Sequence, residues 1–338
     1  MHKATKLRKS NVFIVIMKNT IILFIIIFGL FPGTIKIAAQ DVNLRQKEYA
    51  SGSKNDALKW QIELRGQLFS LFKMDDLITD QEKPVIGPSV LKTKDRTNYV
   101  IKELEINSTS TRRIKIIITI PKTKKGNLPA VVCIAGHGDN RYSVYEKESI
   151  YHGFARELAK KEIITISADV GQHNVYEPNR ILMGERLWDL MRCVDYLRSL
   201  PIVDKSRIGC AGLSLGGEMA MWLGSMDERI KVTVSAGFLT YMDQMEQNHC
   251  MCWKFDGLRE LVDYPDIYSL IAPRFLQCQN GLKEPPTGFT PKLAEEALKE
   301  IKSIYMDYKK EDNVEIVIHE GGHEIALQEL LDFFKEHL

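Results

Sequence analysis

From about residue 97 to its end, the chain alternates between short apolar runs and amphipathic stretches. Six near-continuous apolar runs follow one another along this part of the chain: PAVVCIAG, EIITISAD, RIGCAGLS, IKVTVSAG, PRFLQCQNG and VEIVIHEGG. Such runs are typical of strands that are buried on both faces of a parallel sheet. The stretches between them carry helical spacing and predict helices near residues 145–160, 183–199, 216–226, 291–309 and 324–337. The pattern predicts an α/β protein with a mostly parallel central sheet and helices on both faces.

The chain before these six runs has a different pattern. The stretch DALKWQIELRGQLFSLFKM carries helical spacing, and the later segments NYVIKELEI and RRIKIIITIP flank the polar turn NSTST. The two segments predict an antiparallel hairpin. We therefore expect a helical extension over residues 40–96 and one main domain over residues 97–338. Within the main domain, residues 237–272 are longer than an ordinary connection and are predicted to form an insertion, a lid or a pocket wall.

The first 39 residues contain six basic residues, no acidic residue and the apolar run IILFIIIFGLF, followed by IKIAAQ. A basic start, a short apolar run and small residues before a cleavage point indicate a signal peptide over residues 1–39. Met17 is an alternative start that would give a more typical leader. An uncleaved membrane anchor is the other interpretation, but the run is shorter than the roughly 20 residues of a span. We expect a secreted or periplasmic protein that keeps no stable membrane span after cleavage.

The net charge of the chain argues against nucleic acid as a partner. The leader holds six of the 46 basic residues and none of the 44 acidic ones, so the remaining 299 residues carry a net charge of −4. A mildly acidic protein without basic runs gives no reason to expect nucleic acid as a partner.

Five of the six cysteines divide into two groups, and the sixth, Cys193, lies in the stretch ERLWDLMRCVDYL with helical spacing. Cys133, Cys210 and Cys278 lie inside apolar runs, where cysteine behaves as a small buried hydrophobic residue. Cys250 and Cys252 lie in the loop-like stretch NHCMCWK, which lacks the spacing of a structural zinc site. We therefore expect structural or unpaired thiols and no bound metal.

A serine flanked by glycines follows the third apolar run. The stretch GLSLG matches the G-x-S-x-G nucleophile elbow, with Ser214 on a sharp turn from a strand to a helix. Strand and helix approach closely at such a turn, so Gly212 and Gly216 would remove a collision. The pattern predicts that Ser214 is a catalytic nucleophile.

A serine nucleophile needs a base, and the base needs an acid. His323 in EGGHE follows the last apolar run and is the predicted base, whereas His319 occupies the strand end. Glu284 in QNGLKEPP follows the preceding run and is the predicted acid, with Asp243 as the reserve candidate.

Acyl transfer also needs two backbone N–H groups that bind the oxyanion. One is expected from Leu215, directly after the serine. The other is expected from Asp139 in GHGDN, where Gly138 lets the backbone approach and His137 braces the loop.

Five further side chains are candidates for substrate contact because they lie on strand-end loops or in the insertion. They are His137, His173, Tyr176, His249 and Trp253. For His249 and Trp253, core packing is the favoured alternative, and the loop with His173 and Tyr176 could equally cap the sheet.

Taken together, these motifs resemble the acetyl-xylan-esterase-like and dienelactone-hydrolase-like branch of the α/β-hydrolases, over roughly residues 100–338. The resemblance implies the α/β-hydrolase fold, a triad of Ser214, His323 and Glu284, and oxyanion donors at Leu215 and Asp139. It also implies cleavage of esters of small acyl groups, often acetyl groups on sugars. We expect no cofactor, because the predicted triad supplies both the nucleophile and the base. The departure is a glutamate where an aspartate is commoner.

The leading hypothesis is a secreted serine carboxylester hydrolase that acts on small-molecule or carbohydrate esters. A serine peptidase of the prolyl-oligopeptidase kind would use the same core, but only about 60–80 residues precede the sheet here, too few for the large N-terminal domain of those enzymes. An acyltransferase would use the same acyl-enzyme. A non-catalytic binding protein is the remaining alternative, against which the serine, histidine and glycines argue.

Overall fold

The computed structural model describes residues 44–79, 84–123 and 126–338. The predicted signal peptide lies outside these residues. Within them, nine strands form one sheet, and the six runs predicted to be buried strands are β4 to β9. The strands are β1 Ser89–Asp95, β2 Tyr99–Asn107, β3 Arg113–Pro121, β4 Leu128–Ile134, β5 Ile164–Ala168, β6 Val203–Leu213, β7 Val232–Ala236, β8 Phe275–Gly281 and β9 Val314–His319.

The sheet has the order β1-β2-β3-β5-β4-β6-β7-β8-β9. Along this order, the pairs β1-β2, β2-β3 and β3-β5 are antiparallel. Every later pair, from β5-β4 to β8-β9, is parallel. The strand order reverses at β4, which lies between β5 and β6. Loops that leave the carboxyl ends of β4 and β6 therefore diverge, and such a crevice is where open α/β sheets bind their ligands.

Ten α-helices occur in the described part of the chain. They are α1 Lys54–Leu71, α2 Asp75–Thr79, α3 Phe154–Lys160, α4 Leu182–Ser199, α5 Leu215–Met226, α6 Met242–Met245, α7 Leu258–Leu261, α8 Tyr264–Ser269, α9 Pro291–Asp307 and α10 Leu327–His337. None of them is long and apolar enough to cross a membrane.

The two faces of the sheet are covered by different helices, as the apolar runs predict. Val131 and Cys133 of β4 pack with α3 and α10, whereas Val132 and Ile134 pack with α1, α4, α5 and α9 on the other face. All five residues of β5 and all five of β7 are buried. A parallel sheet that is covered on both faces leaves no polar face, which is why the sequence shows continuous apolar runs.

The hairpin predicted before the parallel sheet is confirmed. β2 and β3 pair antiparallel from Tyr99↔Pro121 to Asn107↔Arg113. The extension before the hairpin contributes an additional edge strand, β1, whose residues are all exposed. Because none of its side chains is buried, β1 has no alternation of apolar and polar positions from which it could be predicted.

Helix α1 joins the extension to the rest of the protein through buried polar contacts. The Gln61 side-chain amide donates to the carbonyls of Ser269 and Ala272, at 3.0 and 2.8 Å. The Arg65 guanidinium donates to the Leu270 carbonyl at 2.6 Å. The described residues belong to one compact unit.

Two helices begin later than the spacing predicts. Helix α3 begins at Phe154, not near residue 145, because His152 and Gly153 both have positive φ, 50° and 61°, which interrupts a right-handed helix. Helix α10 begins at Leu327, three residues beyond the predicted start. The insertion at 237–272 holds the short helices α6, α7 and α8 and a single 3₁₀ turn, Met251–Trp253.

Candidate active site

Ser214 lies on the sharp turn between β6 and α5, with φ 62° and ψ −126°. Non-glycine residues seldom adopt such a backbone, and where they do, the strain is commonly part of a functional site. A Cβ atom on Gly212 would lie 2.1 Å from the Gly216 carbonyl oxygen. A Cβ atom on Gly216 would lie 2.3 Å from the Ile134 carbonyl oxygen of β4. The two glycines therefore allow the close approach that holds Ser214 above the sheet.

His323 is brought to the serine by the end of β7. The Ser214 N–H donates to the Ala236 carbonyl at 3.0 Å. The imidazole of His323 lies against the next residue, since a Cβ atom on Gly237 would be 2.8 Å from its Cε1 atom. Consecutive residues of one strand end thus contact both the serine and the histidine. The Ser214 Oγ atom makes no hydrogen bond among the described residues, and such bonds commonly tighten only when substrate binds.

Glu284 lies behind the imidazole. Its Oε1 atom is 2.7 Å from Nδ1 of His323, and its side chain is 2% exposed, against 33% for the histidine. A Cβ atom on Gly288 would lie 2.8 Å from the other carboxylate oxygen, so a glycine there makes room for the longer acid. The reserve candidate, Asp243, is 75% exposed and pairs with Arg259. Of the two acids, Glu284 alone contacts the histidine.

Phe289 is a site residue that the sequence analysis missed. Its ring stacks on the His323 imidazole with centroids 5.5 Å apart and planes at 21°. The His249 ring packs against the same phenylalanine, with ring centroids 5.2 Å apart. The Nε2–H group of His249 donates to the Thr287 carbonyl at 2.7 Å. His249, one of the predicted substrate contacts, thus connects the insertion to the loop beside the histidine. A phenylalanine in a polar loop gives no sequence signal of this role.

Of the two backbone N–H groups predicted to bind the oxyanion, one is free in the described structure and one is not. Leu215 is the first residue of α5, and its N–H has no partner among the described residues, as expected at a helix start. The Asp139 N–H instead donates to the Gly136 carbonyl at 3.3 Å, which closes a tight turn with Gly138 at φ 78°. Within the described chain, two N–H groups of this turn have no partner, those of His137 and Gly138.

Tyr151 holds this turn and was also missed. Its hydroxyl accepts the Gly136 N–H at 2.6 Å and donates to the Asp139 carboxylate at 2.7 Å. Burial and the hydrogen bond to Asp139 raise the pKa of Tyr151. A Cβ atom on Gly136 would lie 3.0 Å from this hydroxyl and 3.2 Å from Cβ of Ser214, so the turn packs directly against the serine.

The side chain of His137 belongs to a second cluster. Its Nε2 atom lies 2.7 Å from Nε2 of His173, and the latter atom lies 3.3 Å from Sγ of Cys250. With Cys252, these residues offer four ligand atoms that all lie within 4.8 Å of one another. Burial is the main cause of a lowered pKa of His137, and the neighbouring His173 lowers it further.

The last two predicted substrate contacts lie in different surroundings. Tyr176 is 59% exposed, and its ring faces the guanidinium of Arg112 at 5.9 Å. Trp253 is 1% exposed and packs beside Tyr264, so it occupies a core position and does not face solvent. This burial agrees with core packing, which was the favoured alternative for Trp253.

One buried acid near the serine has a perturbed pKa. Glu218 lies one turn into α5 and is 2% exposed, and burial raises its pKa to about 7 although Arg186 acts against the rise. Its Oε1 atom has no hydrogen-bond partner among the described residues.

Comparisons with known proteins agree with this architecture. A family model for glucuronyl esterases of fungi matches residues 105–237. The protein named "Putative hydrolase YtaP" from Bacillus subtilis (strain 168) is 24% identical over 287 residues, which are 77% of this chain and 93% of that protein.

Solved structures are similar at lower identity. A "putative acetyl xylan esterase" from Bacteroides fragilis NCTC 9343 superposes with a TM-score of 0.64 at 19% identity, covering 82% of this chain and 78% of its own. A glucuronoyl esterase from Solibacter usitatus gives a TM-score of 0.64 at 13% identity, covering 86% and 97%. The predicted α/β-hydrolase fold is confirmed, and so is the resemblance to acetyl-xylan-esterase-like members of that fold.

Proposed function

We propose that this α/β-hydrolase is a serine carboxylester hydrolase that acts on esters of carbohydrates. The observation that carries the proposal is the 2.7 Å contact between the buried Glu284 carboxylate and Nδ1 of His323. The end of β7 lies against both this histidine and the strained Ser214. In a serine hydrolase the nucleophile, the base and the acid stand in this relation.

The chemistry follows from these three side chains. The Ser214 Oγ attacks the ester carbonyl while Nε2 of His323 takes its proton. The carboxylate of Glu284 accepts from Nδ1, fixes the tautomer and stabilises the imidazolium that forms. His323 then gives the proton to the leaving alcohol, and an activated water hydrolyses the acyl-enzyme.

The oxyanion would be bound by two backbone groups. Leu215 at the start of α5 offers one N–H, and the helix dipole favours negative charge there. We assign the second donor to the loop after β4 at residues 137–138, where the N–H groups of His137 and Gly138 have no partner among the described residues. The Asp139 N–H is already bonded to Gly136. Losing one such donor typically costs about 2.7–4 kcal/mol of transition-state stabilisation.

A carbohydrate ester is the proposed substrate because two kinds of comparison support it, one of sequence and one of structure. The family model describes glucuronyl esterases, and the similar structures include esterases named for acetyl xylan and for glucuronoyl esters. Such esters differ in where the sugar lies: in an acetyl ester it is the alcohol, and in a glucuronoyl ester it is the acid. We propose an acetyl or other short acyl group on a sugar, with the glucuronoyl ester as the second candidate. Export of the protein through its first 39 residues is part of the proposal.

The first experiment tests the nucleophile. We expect wild type to hydrolyse p-nitrophenyl acetate, and Ser214→Ala to lose activity by up to about a million-fold in kcat, as in comparable enzymes. A fluorophosphonate probe should label wild type and not the variant. Ser206→Ala is the matched control, because Ser206 lies exposed at the opposite end of the same strand. Ester hydrolysis and labelling that survive in Ser214→Ala would refute the assignment.

A second experiment separates the substrate classes. Acetylated xylo-oligosaccharides, benzyl glucuronate and an aminoacyl p-nitroanilide are compared by kcat/KM on the same preparation. A preference for the acetylated sugar supports the proposal, and a preference for benzyl glucuronate moves it to the second candidate. Turnover of the anilide alone would indicate a peptidase. Transfer of acetyl to an added alcohol in preference to water would indicate an acyltransferase.

A further inference from the structure

We propose that His137, His173, Cys250 and Cys252 form a binding site for one zinc ion. The four residues come from three separate loops: the loop after β4, the loop after β5 and the insertion. Each offers one ligand atom toward a common point. The expectation of no metal rested on the spacing of Cys250 and Cys252, and His137 and His173 lie more than 70 residues away from them along the chain.

The distances fit a tetrahedral site. With Zn–N of about 2.0–2.1 Å and Zn–S of about 2.3 Å, ligand atoms of a tetrahedral zinc lie about 3.3–3.8 Å from one another. Here the two imidazole Nε2 atoms are 2.7 Å apart, Nε2 of His173 and Sγ of Cys250 are 3.3 Å apart, and all pairs lie within 4.8 Å. Side-chain movements of about 1 Å would bring the four atoms to the ideal separation.

The donor types select the metal. Two imidazoles and two thiolates form the Cys₂His₂ set of structural zinc sites, and a tetrahedral S₂N₂ arrangement favours zinc over metals that prefer square-planar or octahedral oxygen sites. Two thiolates balance the charge of Zn²⁺. On binding, each thiol forms a Zn–S bond and releases its proton to solvent, so one ion displaces up to two protons.

A buried arginine supports the cluster from behind. The guanidinium of Arg186 donates to Sγ of Cys252 at 3.6 Å and also donates to the carbonyl of Gln172. Because Gln172 precedes His173, one fully buried side chain holds two of the ligand-bearing loops. Outer-shell contacts of this kind orient metal ligands and tune their affinity.

The proposed ion would tie the insertion to the turn beside the serine. His137 contributes its imidazole to the cluster and its backbone N–H to the turn packed against Ser214. Four protein ligands leave no open position, which is typical of a structural zinc. The proposed role is therefore to fix the loop conformation, and the ion takes no part in the chemistry.

The test counts metal on the reduced protein. The purified protein is reduced, stripped with a chelator, and titrated with Zn²⁺ and, separately, with Co²⁺. We expect one equivalent of zinc by mass spectrometry, proton release on binding, and for cobalt the thiolate charge-transfer band of a tetrahedral site. Cys252→Ser and His173→Ala should each weaken binding by more than the 10–100-fold that outer-shell changes cost.

His249→Ala is the matched control, because His249 is adjacent to Cys250 but donates to the Thr287 carbonyl and lies outside the cluster. It should keep one equivalent of metal. Three results would overturn the proposal: no tight binding by the reduced wild type, equal binding by the ligand variants and the control, or metal-free isolated protein with a Cys250–Cys252 disulfide. Circular dichroism establishes that each variant is folded. Metal stoichiometry does not depend on ester hydrolysis, so a failure of this site and a failure of the proposed function can be told apart.

Discussion

Replacing Glu284 by glutamine tests the proposed acid directly. The glutamine keeps the size of the side chain and removes its charge, so the imidazole of His323 loses the carboxylate that lies 2.7 Å from Nδ1. Because the acid is 2% exposed, water cannot take its place. The serine, the histidine and the oxyanion donors stay where they are.

The size of the effect follows from the geometry. Charge centres of a carboxylate and an imidazolium at this contact lie about 4 Å apart, and at an effective dielectric constant of about 20 they attract by about 4 kcal/mol. That attraction exists only when the imidazolium forms, so it acts on the transition state and corresponds to about 10³-fold in rate. A shift of the histidine toward the wrong tautomer extends the loss to about 10⁴-fold. We expect kcat to fall between these values with KM unchanged.

The assay is hydrolysis of p-nitrophenyl acetate under initial-rate conditions, with thermal unfolding measured on the same samples. Asp243→Asn is the control, since that carboxylate is 75% exposed and pairs with Arg259 on the surface. It should leave kcat unchanged. A Glu284→Gln variant that is folded and retains kcat within about tenfold of wild type would refute the electrostatic argument.

Three further predictions concern residues around this site. Tyr151→Phe removes the hydroxyl that holds the turn, so kcat should fall about 10- to 100-fold, less than on losing an oxyanion donor outright; a larger effect on KM than on kcat would contradict this. Gly237→Ala places a Cβ atom 2.8 Å from Cε1 of His323 at a φ of 56°, so a folded variant should lose about 10²-fold in kcat, and wild-type rates would count against the contact. For Glu218, the folded state keeps its proton up to about pH 7 while the unfolded state releases it near pH 4.5. Stability of wild type relative to Glu218→Gln should therefore decrease by up to about 3 kcal/mol as pH rises through this window, measured by urea unfolding at each pH; parallel curves would show that the acid is not perturbed.

Local patterns account for what could be predicted of the fold. Apolar runs identified all six strands from β4 to β9. The signal is clearest for strands such as β5 and β7, which are buried along their whole length, whereas the edge strand β9 is only partly buried. The exposed edge strand β1 has no such pattern and was missed. The start of α3 was placed too early, because His152 has a left-handed backbone, which a non-glycine residue does not signal in the sequence.

The chain order of the proposed triad was also visible in the sequence. Ser214, Glu284 and His323 each follow a predicted strand, and carboxyl ends of parallel strands meet at one edge of a sheet. The glycines at 212 and 216 signal the turn because any side chain there would collide with backbone within 2.3 Å. These inferences need only the identity and spacing of neighbouring residues.

By itself, then, the sequence determined the parallel sheet, the glycine-flanked turn at Ser214 and the candidates for nucleophile, base and acid, since each rests on short-range pattern. The tertiary structure decided which carboxylate contacts the imidazole, which N–H groups of the β4 loop have no partner, and where Tyr151 and Phe289 pack. It also gathered His137, His173, Cys250 and Cys252 from three loops into a cluster of potential ligands. These contacts join residues far apart in the chain. Their distances depend on strand order and loop paths, which residue spacing along the chain does not encode.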